Sequence, residues 1–155
     1  MSANRGLPHR CEIIASRDGI RWVNDSKATN VGAALRSLAG FDKPVTWIAG
    51  GRDKGLDFGP LADVAARRAS RVLLIGEAAR QIETALGGRV PARHCKSLEE
   101  AVEIAAAEAG AGDIVLLAPA CASQDQFANY EERGECFRSA VQRLTSRLTS
   151  RGSVS

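Results

Sequence analysis

Short apolar runs alternate along the chain with segments whose apolar residues recur at helical spacing, and most joins between them are polar or glycine-rich. Residues 11–16 (CEIIAS) and 20–23 (IRWV) flank Asp18-Gly19, a turn dipeptide, and predict an antiparallel hairpin. The polar stretch 24–30 (NDSKATN) follows, with Thr29 or Asn30 placed to cap a helix over about 30–38. Residues 45–49 (VTWIA) read as a buried strand, 59–69 as a helix, 71–76 as a strand and 77–86 as a helix. A weak strand or extended link covers 89–94. Ser97 and Glu100 stand at capping-box spacing ahead of a helix reaching about 109. Residues 113–118 (DIVLLA) form the clearest strand pattern, and a last helix is predicted from 130 or 131 to 144.

Strands that alternate with helices predict an α/β fold: a Rossmann-like, mostly parallel sheet with helices on both faces and an amino-terminal β-hairpin. Gly6, Pro8 and their neighbours make 1–9 a linker, 10–145 the domain, and the Ser/Thr/Arg-rich 146–155 a flexible tail. In such a sheet ligands gather beyond the carboxyl ends of the strands. Three polar corners follow strands, at 24–30, 50–55 (GGRDKG) and 119–127 (PACASQDQF), so the topology predicts that they share one rim. The first joins an anion, two hydroxyls and a cation to the N–H groups of a helix start, which suit a carboxylate or phosphate. A capping loop with solvated charges is the alternative. The second offers glycines that let a ligand approach the backbone, and the point charge of Lys54; a plain glycine turn with an exposed lysine is its alternative.

Composition narrows the function. A chain of 155 residues suits one domain, and a net charge of +3 spread along it points away from a nucleic-acid surface. The four cysteines, Cys11, Cys95, Cys121 and Cys136, show no metal-ligand spacing with His9 and His94 and read as reduced, mostly buried thiols, so no metal site is expected. No apolar run has membrane-spanning length and the start carries no signal-peptide core; the reading is a cytoplasmic protein away from membranes. No GxxxxGK[ST] or GxGxxG occurs. Ser123 has no histidine in its corner to serve as base, and Cys121, at a strand end, reads as buried rather than nucleophilic. What remains is a rim with a lysine, hydroxyls and N–H groups, suited to a small dianion and to part of a nucleotide.

Residues 24–30, 50–54 and 120–134 (ACASQDQFANYEERG), introduced by 6–10 (GLPHR), closely resemble the carboxy-terminal domain of the Mur ligase family, in its UDP-N-acetylmuramoyl-L-alanine:D-glutamate ligases. The resemblance runs from about 6 to 144. It implies the last of three domains in an enzyme that uses ATP and Mg²⁺ to activate the nucleotide-linked carboxylate as an acyl phosphate, which the amine of D-glutamate attacks. Carried over, Thr29 and Lys54 hold the α-carboxylate of D-glutamate, and Ser123 and the backbone around Tyr130 hold its side-chain carboxylate. Arg10 reaches the ATP phosphates, Asp25 the ribose, and Lys27 either ligand. Tyr130 stands where well-known relatives have Phe. All these roles are positioning; none is acid, base or nucleophile. The first two domains, which hold UDP-N-acetylmuramoyl-L-alanine and most of the ATP, have no counterpart here, so the resemblance implies a chain inactive alone. A non-catalytic α/β amino-acid-binding module and a nucleotide-binding protein using Arg10 and Asp25 are the competing readings.

Overall fold

The computed structural model describes residues 11–17, 19–41, 44–52, 55, 57–123 and 127–154, with the backbone alone at 17 and 145–154. The linker expected over 1–9, the aspartate of the Asp18-Gly19 turn, and the two candidates Arg10 and Lys54 lie outside the described residues.

The hairpin forms as the pattern predicts. β1 (Glu12–Arg17) pairs antiparallel with β2 (Ile20–Asn24), and Gly19 takes the positive φ of 79° that the turn requires. The chain then alternates: α1 (Val31–Ala39), β3 (Val45–Gly50), α2 (Leu61–Arg68), β4 (Ala69–Ile75), α3 (Ala79–Leu86), β5 (Ala92–His94), α4 (Leu98–Glu108), β6 (Ile114–Leu117) and α5 (Tyr130–Val154). The caps follow the sequence. Asn30, rather than Thr29, caps α1 by accepting from the Ala33 N–H, and Ser97 caps α4 by accepting from Glu100 N–H. Glu100 reaches back one residue beyond the cap, to the Lys96 N–H at 2.8 Å.

α5 corrects the prediction. It runs on to Val154, past position 144 where the apolar pattern ended it, so the tail expected to be flexible over 146–155 is helical backbone as far as Val154. Ser and Thr lower helix propensity past 144, but no proline falls in 145–154 and the one glycine there is Gly152.

The six strands are ordered β1-β2-β6-β3-β4-β5, all parallel except β1. Their apolar residues are divided between two cores. Ala34 and Leu38 of α1, Leu61 and Ala65 of α2, and Ile82 and Leu86 of α3 pack with Trp47, Val72 and Leu116 on one face. Ala101, Val102 and Ala105 of α4 and Phe137, Ala140 and Val141 of α5 pack with Trp22, Ile48, Leu73 and Val115 on the other. Central strands buried on both faces explain why β6, and β3 apart from Thr46, read as apolar runs. The decisive consequence is positional: β6, last in sequence, sits between β2 and β3. The chain leaving β3 turns toward one face and the chain leaving β6 toward the other, which opens a crevice at their carboxyl ends.

Candidate functional site

Because β2, β6 and β3 are neighbours, the three polar corners meet on one rim, and backbone hydrogen bonds stitch them together. Asp25 N–H donates to Leu117 O, Ala120 N–H to Ala28 O, Gly50 N–H to Pro119 O and Arg52 N–H to Ala122 O, all at 2.8–2.9 Å. The second corner requires its glycines. Gly50 and Gly51 have φ of 122° and 153°, and an added Cβ would lie 1.9 Å from Ile75 O and 2.5 Å from Ala122 O respectively. In the third corner Ala120 carries a φ of 65°, a left-handed conformation that costs a non-glycine residue roughly 1 kcal/mol and that its 2.9 Å bond to Ala28 helps to hold.

The polar side chains of the first corner divide into two groups. Ser26 points into the protein. Its hydroxyl donates to Tyr130 O at 2.6 Å and accepts from Arg133 Nε at 3.0 Å, while its N–H is held by Asn24 Oδ1 at 3.0 Å. Arg133, only 1% exposed, also donates to Ser26 O at 2.7 Å and to Cys121 O at 2.9 Å. One guanidinium thus ties the first corner to the third. Asp25 faces the other way. It is 5% exposed and accepts from the Cys11 N–H at 3.2 Å and from the Ser37 hydroxyl. With Cys11, Lys27, Ala28, Ala33, Arg36 and Ser37 it lines a cavity of about 350 Å³. A carboxylate flanked by the cations Lys27 and Arg36 suits a ligand that carries both hydroxyls and phosphates. Thr29 stands half-buried beside this cavity in the chain, its N–H turned back to Lys27 O at 2.8 Å.

The third corner holds the most telling atom. Ser123 is 1% exposed, and its hydroxyl makes no hydrogen bond among the described residues, although burying such a group unpaired costs about 1–3 kcal/mol. Its carbonyl is used, accepting from the Phe127 N–H at 2.9 Å. Tyr130 opens α5 with Glu131 and Glu132 in the first turn, and its carbonyl is the one Ser26 holds. Cys121 is fully buried, in keeping with the sequence reading. Cys136 and Cys95 are half-buried; burial pushes both thiols up, Cys136 to about 11 with Glu99 adding to the effect, which leaves little thiolate near neutral pH.

The Mur ligase, glutamate ligase domain model matches residues 9–121 of this chain. The chain belongs to the Mur ligase family. It is 53% identical over 144 residues to the UDP-N-acetylmuramoylalanine–D-glutamate ligase of Aromatoleum aromaticum, covering 92% of this chain and 31% of that protein. The ligase of the same name from Geotalea uraniireducens is 46% identical, with 93% and 32% covered. The chain therefore spans about a third of the length of the curated relatives it matches. Because the Aromatoleum match takes in 92% of the chain, it extends through the third corner, beyond the end of the family match at residue 121. Among solved structures, UDP-N-acetylmuramate-alanine ligase from Thermotoga maritima superposes with a TM-score of 0.62 at 18% identity, covering 92% of this chain and 31% of that one. A domain from a Haemophilus ducreyi ligase matches at a TM-score of 0.53 and 15% identity; the match takes in 85% of this chain and 99% of that one, so the fold has been solved as a unit by itself.

Of the candidates taken from the sequence, the Mur ligase domain brings Asp25, Lys27, Thr29, Ser123 and Tyr130 onto one rim. Asp25 and Lys27 line its cavity, Ser123 lies on the segment that follows β6, and the Tyr130 carbonyl is held by Ser26, the residue between Asp25 and Lys27. Arg133, Ser37 and Arg36 were not singled out. For two of them the sequence carried a signal: Ser37 falls in the buried stripe of Ala34 and Leu38, and Arg133 in that of Phe137, Ala140 and Val141, positions where a polar side chain needs an internal partner.

Proposed function

We propose that this chain is the amino-acid-binding, carboxy-terminal part, about residues 10–145, of a ligase that joins D-glutamate to UDP-N-acetylmuramoyl-L-alanine. The observation that carries the reading is the Ser123 hydroxyl, buried and unpaired at the ligand end of the sheet, where a carboxylate oxygen would complete it. In this reading Ser123 and the backbone around Tyr130 hold the side-chain carboxylate of D-glutamate, and Thr29 and Lys54 hold the α-carboxylate. The amine is thereby aimed at an acyl phosphate formed with ATP, and collapse of the resulting tetrahedral adduct gives the amide and phosphate. The chain's contribution is orientation and exclusion of water; it supplies no acid or base.

The cavity beside Asp25 supports a partial ATP site. Asp25 suits ribose hydroxyls, and Lys27 and Arg36 suit phosphates; the resemblance gives Arg10 the phosphates as well. Mg²⁺ and the UDP-linked substrate would be held mainly by the other two domains, which leaves this chain inactive alone in the cytoplasm where such precursors are made.

The test is reconstitution. The chain is mixed with the amino-terminal and central domains of the Aromatoleum ligase, and ATP-dependent joining of D-glutamate is followed, with Lys54→Ala and Ser123→Ala as controls. Activity that both substitutions sharply lower at sub-saturating D-glutamate is the expected result. A folded chain that neither supports joining nor shows NMR shifts with D-glutamate removes the assignment; shifts without joining leave an amino-acid-binding module.

A further inference from the structure

Arg133 does more than fill its site. On α5, one turn after Tyr130, it donates to Ser26 O in the first corner and to Cys121 O in the third, and its Nε holds the Ser26 hydroxyl, which in turn donates to Tyr130 O. Every link is 3.0 Å or shorter, and Arg133 and Ser26 are both essentially excluded from water. The two segments it joins carry the two groups to which the proposed function gives the opposite ends of one ligand. Thr29 lies three residues after Ser26, and Ser123 two residues after Cys121.

From this geometry we infer that Arg133, acting through Ser26, sets the distance between the two carboxylate-holding corners and so selects the length of the dicarboxylic amino acid. It is a positioning residue that touches no ligand itself, and the inference rests on the proposed D-glutamate site. A fixed spacing is what such selection needs. The homologues of glutamate differ by single methylenes, and a rigid pair of anion sites rejects one too short or too long, whereas a compliant pair follows the ligand. Backbone bonds hold the first corner at its two ends, where the Asp25 N–H donates to Leu117 O at the close of β6 and the Ala120 N–H donates to Ala28 O. The guanidinium adds an attachment between those ends, at Ser26, and pins the middle of a loop that end attachments alone leave free to bow. The fan of donors matters as well as the charge: lysine keeps the charge but cannot hold Ser26 O, Ser26 Oγ and Cys121 O in one plane.

The test titrates the 155-residue chain with D-aspartate, D-glutamate and D-2-aminoadipate by NMR, for the unaltered chain, Arg133→Lys and Ser26→Ala. The unaltered chain is expected to prefer D-glutamate over both homologues by about tenfold, the scale of one methylene. Each variant that keeps the native spectrum is expected to lose most of that preference, because D-glutamate weakens while the homologues change little. Should Arg133→Lys fail to fold, Ser26→Ala, which keeps the guanidinium and removes only the relay hydroxyl, carries the test. Equal weakening of all three ligands, or an unchanged preference, overturns the inference while leaving the D-glutamate site standing. Absence of D-glutamate shifts in the unaltered chain removes both.

Discussion

Two serines are buried on the same rim, and they use their hydroxyls in opposite ways. Ser26 uses both its proton and its lone pairs within the protein, bonding Tyr130 O and Arg133 Nε, whereas the Ser123 hydroxyl bonds nothing among the described residues. A finished hydrogen-bond network adds stability and fixes geometry; an unfinished buried hydroxyl subtracts stability and persists where something outside the chain completes it. In the proposed function the rim has a structural half centred on Arg133 and a receptive half centred on Ser123, ten residues apart in the chain. Stability and ligand affinity should therefore respond to substitution in opposite proportions across it.

The largest effect is expected at the centre of the finished half. Arg133→Met keeps much of the side-chain volume but withdraws the buried guanidinium donors from Ser26 O, Ser26 Oγ and Cys121 O, and should lower the unfolding free energy by about 3 kcal/mol, read as a shift in urea midpoint at unchanged slope. Ser26→Ala comes next, at about 2 kcal/mol, because it removes two buried hydrogen bonds, to Tyr130 O and from Arg133 Nε, with a single atom. A loss under half a kcal/mol from either would mean that the network is slack and that the contrast with Ser123 has no energetic content.

The sequence made the fold plain but not this division. Alternating β and α patterns with apolar runs at β3 and β6 imply a parallel sheet covered on both faces, and three post-strand corners imply one rim. Capping pairs such as Ser97 with Glu100 are local, so position alone identifies them. Direction is a tertiary property. Asp25, Ser26 and Lys27 are adjacent and equally polar, yet Ser26 turns inward to an arginine far along the chain while the other two line a cavity. Within 130–134 (YEERG), the two glutamates face water and the arginine does not. Only the helical phase shared with Phe137 and Val141 distinguishes them, and a charged residue in that phase reads as solvated until its partners are known. The end of α5 escaped for a different reason: helix persistence past 144 depends on the absence of a stop signal more than on an apolar stripe.

Ser37 tests the border between the two halves. Its hydroxyl serves Asp25, but that carboxylate lines an open cavity where water can replace a lost donor. Ser37→Ala should therefore cost only about 1 kcal/mol by the same urea measurement, clearly less than Ser26→Ala despite an equally small change in atoms. ATP-analogue binding, followed in the reconstituted mixture, should weaken more than D-glutamate binding does. The reverse order would move Asp25 out of the nucleotide region.

Ser123→Ala is expected to change stability least of all, and it decides most. Removing a buried hydroxyl with no partner leaves no protein group stranded and relieves its desolvation, so the unfolding free energy should stay within about 0.5 kcal/mol of the unaltered chain, or rise slightly. The affinity for D-glutamate should fall about tenfold, the loss expected when a charge-assisted hydrogen bond to a carboxylate is withdrawn. That pairing of silent stability with impaired binding is the signature of a group kept for a ligand. If Ser123→Ala instead destabilises the chain by 2 kcal/mol or so, the hydroxyl has a partner inside the protein, and the division of the rim into a finished and a receptive half collapses at its most informative atom.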